Sequence, residues 1–366
     1  MLKRWLLRTL ALIAILILLA IVVPVAAIEL GCRPDTAATS AAAPAVGNLP
    51  AIAEKNYRRN ELNTYFTFPE WYIVYSFEDF GRFLDDASES GFSYTSQISG
   101  FWKSFCTINW LAAGRGDVPL ETKVMVYVIG VSFSAEYALK GAYENTIGRL
   151  TEWIRGSQRT PQDVYARKVL QDYGAFLYTV PWFKFPFGEK LSGLFAIAEP
   201  TTSTIRTWER KFALGAEYVV KIGYAWLIQK GLDASGDEVP RDIMFVVKTL
   251  SPGTLAREPR IKVVRALNAD WQLVQVPRYK DFTDILNGLL NEGHAVAEIA
   301  GNRNILVTLV APDTAKLSIG GTTELFSLPL DGKPGFRRVG LDVKIPDLVS
   351  VSRALKAAGV SIEHFY

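Results

Sequence analysis

Two charged pairs with helical spacing are the residues of this sequence best suited to chemistry. Glu136 and Lys140 lie four residues apart, and Glu217 and Lys221 repeat the pair within two matching segments, AEYALKGAY and AEYVVKIGY. Residues four apart share one face of a helix. Because apolar residues flank both segments, the repeat predicts two helices that face each other around a shared polar core.

Tyr143, Glu144 and Tyr224 extend this candidate polar cluster by about one further turn. An acid–base site is one interpretation, because burial and mutual proximity shift the pKa of ionisable groups as catalysis requires. A structural ion-pair network is the other, and it is favoured because Glu–Lys pairs at this spacing are common on helices. The cluster therefore favours a non-catalytic role over an enzymatic one.

The aromatic stretch from Trp182 to Phe187 is a second candidate site. Amphipathic rings next to a lysine are favoured at a membrane interface, whereas the same rings also suit a cap over a hydrophobic core. Both interpretations stay open. The candidate membrane-interface residues are Trp182, Phe183, Lys184, Phe185 and Phe187.

Metal, redox and nucleic-acid functions have little support in the composition. The chain has 2 His and 2 Cys among 366 residues, and its helical half holds no histidine for a dinuclear carboxylate site. We therefore predict no metal and no cofactor, and we expect no disulfide framework from Cys32 and Cys106. A net charge of +3 on a balanced background gives no signal for nucleic acid.

An uncharged apolar stretch near the N-terminus predicts a membrane anchor. Lys3, Arg4 and Arg8 precede residues 9–28, which carry no charge. This length matches the bilayer hydrocarbon, and the basic flank places the N-terminus in the cytoplasm. We therefore predict a single-pass protein of the inner membrane with an extracytoplasmic body. The alternatives are a cleaved signal peptide and a three-span protein in which the two repeat helices also cross.

Periodicity divides the remainder into a tether and two domains. Residues 1–30 form the anchor, residues 31–52 an Ala/Pro-rich flexible tether, and residues 53–232 a helical bundle. Residues 241–366 alternate strands with two helices that share a template at a 66-residue offset. This pattern predicts an α+β chain whose last domain is a ferredoxin-like sandwich.

Together these features predict a periplasmic, membrane-anchored protein of interaction, scaffold or ligand-sensing type. Its partners would be the lipid bilayer, through residues 9–28, and another envelope protein. The alternative is an envelope hydrolase or transferase that uses the Glu/Lys/Tyr cluster as its acid–base site. A pocket that opens onto Glu136 and Glu217 would favour the enzyme, whereas a sealed and fully paired network would favour the interaction protein.

Overall fold

A computed structural model describes residues 15, 19, 21–33, 43–44, 46, 49–58, 64–114, 118, 120–198, 203–235 and 241–366, without the side chains of 232–235. Helices occupy the chain as far as Ser235, and two antiparallel four-stranded sheets follow. The predicted α+β class is confirmed. Half of the predicted membrane span, residues 9–28, lies outside the described residues. In the part of the chain that the structure describes, no helix has both the length and the hydropathy to cross a membrane.

Seven α-helices make up the first part of the described chain, and the predicted helical periodicity there is confirmed. They are α1 (Phe68–Asp86), α2 (Tyr94–Ala113), α3 (Leu120–Tyr143), α4 (Arg149–Arg155), α5 (Pro161–Leu177), α6 (Phe187–Ala196) and α7 (Thr204–Ser235). Short 3-10 turns precede α1 and separate α5 from α6. A π-helical turn, Glu144–Gly148, joins α3 to α4, so the expected long helix is continuous but irregular there.

A capping box explains where α5 begins, whereas a similar sequence before α1 forms no side-chain cap. Thr160 and Asp163 form a reciprocal capping box at the start of α5, as the sequence TPQD indicates. The similar motif at Thr67 forms no side-chain cap, because Thr67 already has helical backbone angles within a 3-10 turn. Its hydroxyl instead donates to the carbonyl of Thr64. A capping sequence therefore acts only where the preceding chain is extended.

Eight strands and three helices form the second part. The strands are β1 (Asp242–Lys248), β2 (Lys262–Ala266), β3 (Trp271–Pro277), β4 (Val296–Ile299), β5 (Asn304–Pro312), β6 (Thr322–Pro329), β7 (Phe336–Lys344) and β8 (Ser361–Phe365). The helices are α8 (Pro252–Arg257), α9 (Lys280–Asn291) and α10 (Leu348–Ala357). All strands predicted from the alternating pattern are confirmed to within about two residues.

The two sheets repeat one topology. Their strand orders are β2-β3-β1-β4 and β6-β7-β5-β8, with antiparallel neighbours throughout. In each sheet a helix, α9 or α10, connects the two strands that flank the central strand. A ferredoxin-like sandwich would place both strand–helix–strand units in one sheet. Here the two strands of each unit lie on either side of a third strand, β1 or β5, and the two units belong to separate sheets.

The sheets share one hydrophobic core and use their other faces differently. One face of each sheet packs with α9 and α10 around residues such as Phe245, Leu286 and Val307. The opposite face of the second sheet packs on the helical part, where Phe326 contacts Phe68 at 4.6 Å between ring centroids. The second sheet is therefore the junction between the helical part and the α+β part of the chain.

The predicted flexible tether, residues 31–52, packs on the first sheet in its described C-terminal part. Val46, Leu49 and Ile52 contact the sheet face that carries Val246 and Leu273. A spacer that covers apolar sheet residues is held in place by their burial. The expectation of a free tether is therefore wrong for these residues, because the outward sheet face is itself apolar and needs a cover.

A disulfide links Cys32 to Cys106 on α2, with 5.7 Å between the Cα atoms. The sequence expectation of no disulfide framework overlooked this single bond across 74 residues. Next to it, Glu29 accepts hydrogen bonds from Lys123 at 3.0 Å and from Tyr127 at 2.7 Å. The end of the N-terminal apolar segment is thereby fixed to α2 and to the beginning of α3.

Candidate functional site

One face of α7 carries the charged residues that organise the candidate site. Arg206, Arg210, Glu217 and Lys221 are spaced by four, seven and four residues, which returns each of them to the same side of a helix. Arg206 and Arg210 are fully buried, and Lys221 is 8% exposed. This charged face is turned toward α3, α4 and α5 rather than toward solvent.

The two repeated Glu–Lys pairs meet, and each lysine bonds the glutamate of the opposite helix. Lys140 Nζ lies 3.0 Å from Glu217 Oε2, and Lys221 Nζ lies 2.8 Å from Glu136 Oε1. Lys221 also lies 3.5 Å from Glu217 within its own helix. The pairs therefore act mainly as bridges between α3 and α7.

Aromatic rings surround the ammonium group of Lys221. It lies 5.0 Å from the ring centroid of Phe77, 4.9 Å from that of Tyr173 and 5.4 Å from that of Phe187. Cations over ring faces are attracted by the ring quadrupole, and more strongly once they are desolvated. The lysine charge is therefore stabilised by two carboxylates and three rings, in a position that water does not reach freely.

Arg206 connects α7 to α4, to α5, to the π-helical turn and to the segment at Glu89 through all three guanidinium nitrogens. Nε donates to Asp163 at 2.9 Å, and Nη1 donates to Thr151 at 3.0 Å and to Glu209 at 3.1 Å. Nη2 donates to Glu89 at 3.3 Å and to Glu152 at 3.4 Å. Only the planar fork of an arginine satisfies acceptors in so many directions.

Arg210, one turn later, binds the carboxylates that lie deeper between α3 and α7. Its Nη2 donates to both oxygens of Glu144, at 3.0 and 3.1 Å, and Nε donates to Glu209 at 2.8 Å. Tyr143 donates to the other oxygen of Glu209 at 2.9 Å. Tyr143 and Glu144 therefore belong to the cluster, as their spacing predicts, although through Arg210 rather than through the lysines.

The π-helical turn places Glu144 inside the protein. A Cβ added at Gly148 would lie 2.2 Å from Glu144 Oε2, so only glycine leaves room for this carboxylate. The carbonyl of Gly148 accepts from Arg206 Nη1 at 3.2 Å. Such turns often occur at functional sites, and here the turn brings a carboxylate and a backbone carbonyl to the two arginines.

Carboxylates outnumber cations in this network, seven to five. Burial raises the pKa of Glu144 to about 7, since Arg210 offsets the desolvation only in part and Glu89 adds repulsion. Burial also opposes ionisation of Asp163, but Arg206, Thr160 and Arg155 outweigh it and lower the pKa of that carboxyl. The network thus holds one carboxyl that titrates near neutral pH.

A cavity of about 30 Å³ lies between the two halves of the network. Its polar lining comes from Glu89, Lys140, Arg210, Glu217 and Lys221. A volume of this size admits about one or two water molecules, whereas ligand pockets measure about 300–1,000 Å³. The charged groups can therefore hold water and share a proton, but they do not surround space for a substrate.

The remaining predicted site residues lie elsewhere. Tyr224 is 41% exposed and packs on Trp182, with 5.1 Å between the ring centroids. Phe185 and Phe187 are buried against Tyr173, so they cap the helical core and are not available for lipid contact. Of the other candidate interface residues, Trp182 and Phe183 are half-buried and Lys184 is exposed.

Sequence reasoning missed seven of the twelve charged residues of the network, Arg155 among them, although one signal was present. Arg206 and Arg210 each precede a member of the second Glu–Lys pair by eleven residues, a spacing that returns to the same helix face. The carboxylates on other helices carry no such local signal. The missed residues are Glu89, Glu152, Arg155, Asp163, Arg206, Glu209 and Arg210.

Among the described residues, no three His, Cys, Asp or Glu side chains are arranged to hold a metal ion. Comparisons with protein-family models, curated protein sequences and solved structures found no match to this chain. The arguments for function therefore rest on the geometry alone.

Proposed function

We propose that this protein is a non-catalytic interaction or scaffold protein, anchored in the inner membrane with its folded body in the periplasm. The observation that carries the proposal is the closed charged network. Its cations and carboxylates pair with one another across α3, α4, α5 and α7. Removing one partner of a buried pair is strongly destabilising, so such networks are well suited to specify how helices assemble.

The same geometry argues against the hydrolase or transferase alternative. A general acid or base must lie within hydrogen-bond reach of a bound substrate. Glu144 instead binds Arg210, and Glu217 binds Lys140 beside a cavity of only about 30 Å³. A catalytic function would need an opening of the helices that the paired charges resist.

The disulfide supports a location outside the cytoplasm. Disulfides persist in oxidising compartments such as the periplasm and are rare in the cytosol. Cys32 follows the predicted anchor closely in sequence, so its bond to Cys106 supports a folded body on the same side of the membrane as the end of that anchor. This agrees with the orientation that Lys3, Arg4 and Arg8 predict.

The α+β part is the proposed interaction module. Strand β2 is an edge of the first sheet, and it exposes Val263 (44%) and Val264 (39%). A free edge with exposed apolar residues can pair with an extended segment of another protein. In this proposal the charged pairs determine how the helices of the helical part pack into a bundle. Each sheet resembles part of a ferredoxin-like fold, because it contains one strand–helix–strand unit.

Carbodiimide labelling tests the closed network. The full chain in mild detergent is treated at neutral pH with a water-soluble carbodiimide and an amine, and modified carboxylates are mapped by mass spectrometry. We expect Glu144 and Glu217 to stay unmodified while the exposed Asp284 and Glu292 react. Modification of Glu144 and Glu217 as fast as the exposed pair would contradict the proposal and favour an accessible acid–base site.

Reporter fusions test the location. A reporter that is active only outside the cytoplasm, fused after Tyr366, should be active, and a reporter restricted to the cytoplasm should be inactive. Replacing Lys3, Arg4 and Arg8 by Glu is the matched control, since it removes the charge bias that sets the orientation. Activity of the cytoplasmic reporter on the unmodified chain would refute the proposed topology.

A further inference from the structure

The outward face of α7 is apolar along most of the helix. From Ile205 to Leu227, every residue classed as exposed is uncharged and apolar or aromatic. Phe212 is 71% exposed and Val220 is 70% exposed. The exposed large apolar residues of this face are Ile205, Trp208, Phe212, Val219, Val220, Ile222, Tyr224, Trp226 and Leu227.

Helix α3 has the same character on its outward side. Between Val124 and Ala142 its exposed residues carry no charge. Leu139 is 75% exposed, and Val128 is 55% exposed. The apolar character continues past the π-helical turn into α4, where Trp153 is exposed. Apolar patches of this extent on soluble proteins mark sites of protein–protein or membrane interaction.

The charges of these two helices point the other way. Within the same part of α7, all six charged residues are buried or half-buried, and they are Arg206, Glu209, Arg210, Lys211, Glu217 and Lys221. On α3, Glu136 and Lys140 are likewise turned inward to the network. A helix at an aqueous surface buries its apolar side and exposes its charges. This polarity is inverted, as expected for helices that are surrounded by hydrocarbon.

The dimensions and ends of the α7 face match a bilayer. The segment from Ile205 to Leu227 is about 33 Å long at about 1.5 Å per residue, and the hydrocarbon layer is about 30 Å thick. Trp208 and Trp226 lie near its two ends, and tryptophan is enriched at both membrane interfaces. A protein partner would not require this spacing of aromatic residues.

The predicted anchor reaches this surface directly. Glu29, at the end of the N-terminal apolar segment, bonds Lys123 and Tyr127 at the beginning of α3. The apolar outward side of α3 starts at the next residue, Val124. The apolar face and the anchor are therefore continuous, and the bilayer that holds residues 9–28 lies beside α3.

We propose that the outward faces of α3 and α7 lie in the hydrocarbon of this bilayer, with the charged network enclosed behind them. This inference rests on the membrane anchoring in the proposed function. None of the described helices is apolar enough to cross a membrane by itself, so in this proposal the helical part of the extracytoplasmic body contacts lipid as one packed unit, with its charges shielded by its own apolar side chains. The α+β part projects into the periplasm.

Fluorescence quenching by brominated lipid tests this proposal on the full chain. Single cysteines replace exposed residues, Val220→Cys on α7 and Leu139→Cys on α3, and carry an environment-sensitive bimane label. Val263→Cys on β2, which is also an exposed valine, is the matched control. The described cysteines form a disulfide, so they do not react with the label. The proteins are reconstituted in phosphatidylcholine vesicles with and without bromine on the acyl chains.

We expect labels at positions 220 and 139 to be quenched severalfold more by brominated lipid than the label at 263. Aqueous iodide should show the opposite order. Equal quenching at all three positions would overturn the proposal. Protection of positions 220 and 139 from both quenchers would also overturn it, because a second copy or another protein would then cover the face.

Two further measurements separate this result from the proposed function. Flotation of the reconstituted chain with the vesicles reports anchoring, whatever the quenching shows. Carbodiimide labelling reports the closed network independently of lipid contact. If Val220→Cys or Leu139→Cys fails to fold, Phe212→Cys and Val128→Cys probe the same two faces at other exposed positions.

Discussion

At the scale of single residues, burial separates two ion pairs that look alike in the sequence. Glu217–Lys221 and Lys280–Asp284 both join residues four apart on a helix. In the first pair the side chain of Glu217 is 23% exposed and that of Lys221 is 10% exposed. In the second pair the side chain of Lys280 is 60% exposed and that of Asp284 is 46% exposed. Surface pairs contribute little because water screens them, while a buried charge depends on its partner.

Alanine substitution in both pairs tests this difference. We expect Glu217→Ala to lower the free energy of unfolding by about 3–5 kcal/mol, because Lys140 and Lys221 both lose their shared carboxylate. Asp284→Ala should cost less than about 1 kcal/mol. Denaturant unfolding of the full chain in detergent measures both values.

The double variant Glu217→Ala/Lys221→Ala should recover part of the loss, since one unpaired charge is removed with its partner. Recovery is expected to be incomplete, because Lys140 then still lacks its carboxylate. Equal, small effects of Glu217→Ala and Asp284→Ala would show that the network is solvated.

The residue scale also shows which parts of the site could be predicted. Repeated four-residue spacing identified Glu136 and Lys140 on α3 and Glu217 and Lys221 on α7, because helix geometry alone puts each pair on one face of its helix. Arg206 and Arg210 could have been predicted by the same argument, because each lies eleven residues before a member of the second Glu–Lys pair, on the same helix face. Carboxylates contributed by other helices, such as Asp163, depend on tertiary packing, which no local pattern in a single sequence encodes.

At the scale of elements, local periodicity predicted most helices and strands because the 3.6-residue and two-residue repeats are properties of short segments. The π-helical turn at Glu144–Gly148 was not predicted, since it depends on tertiary contacts of the Glu144 carboxylate with Arg210 and of the Gly148 carbonyl with Arg206. The packing of Val46, Leu49 and Ile52 was also missed. The Ala/Pro-rich composition of their segment is typical of a linker, yet the apolar sheet face that they cover lies about 200 residues away in the chain.

The disulfide gives a prediction about the element that it secures. Cys106→Ser frees the end of the N-terminal apolar segment from α2, and we expect it to lower the free energy of unfolding by about 2–4 kcal/mol. Cys32→Ser should have the same effect, and the double variant should cost no more than either single variant, because each change removes the same bond.

Peptide mapping without reductant should find the peptides of Cys32 and Cys106 linked in protein purified from the cell envelope. Free thiols at both positions in that material would contradict the disulfide. They would also remove its support for an extracytoplasmic location.

At the scale of the whole molecule, buried polar contacts join the helical part to the second sheet. Tyr75 and Tyr366 share a hydrogen bond of 2.8 Å, and Arg338 lies 3.9 Å from the centroid of the Tyr75 ring while it binds Glu363. Asp79 accepts from the backbone nitrogens of Asp331 and Gly332. The junction was not predictable, because it pairs residues that are hundreds of positions apart. The strand order was not predictable either, because pairing between strands depends on tertiary packing.

His364 lies at this junction and makes the folding of the whole molecule sensitive to acid. Its ring stacks on Trp71 of α1 with 4.0 Å between centroids, and its Nδ1 is 2.8 Å from the hydroxyl of Thr283 on α9. Burial, reinforced by the positive charge of Lys280, lowers the pKa of His364 to about 3. In the unfolded chain a histidine takes up its proton near pH 6.5.

The stabilisation from a neutral His364 is therefore complete above about pH 6.5 and is lost progressively as the pH falls toward about 3. Between about pH 7 and about pH 5, we expect this residue alone to reduce the free energy of unfolding by about 2 kcal/mol. The variant His364→Asn keeps a side chain able to bond Thr283, but that side chain does not titrate. Between the two pH values, the variant's free energy of unfolding should therefore fall by about 2 kcal/mol less than that of the parent.

Denaturant unfolding of the full chain at the two pH values measures the change in the free energy of unfolding for the parent and for the variant. The contributions of the other titrating groups are the same in both proteins and cancel in this comparison. His294→Asn is the matched control, since His294 lies at the surface near Glu292 and outside the junction. It should keep the pH dependence of the parent. If His364→Asn also keeps the pH dependence of the parent, the imidazole of His364 is not buried as a neutral group between the helical part and the second sheet. The junction then does not have the packing described above.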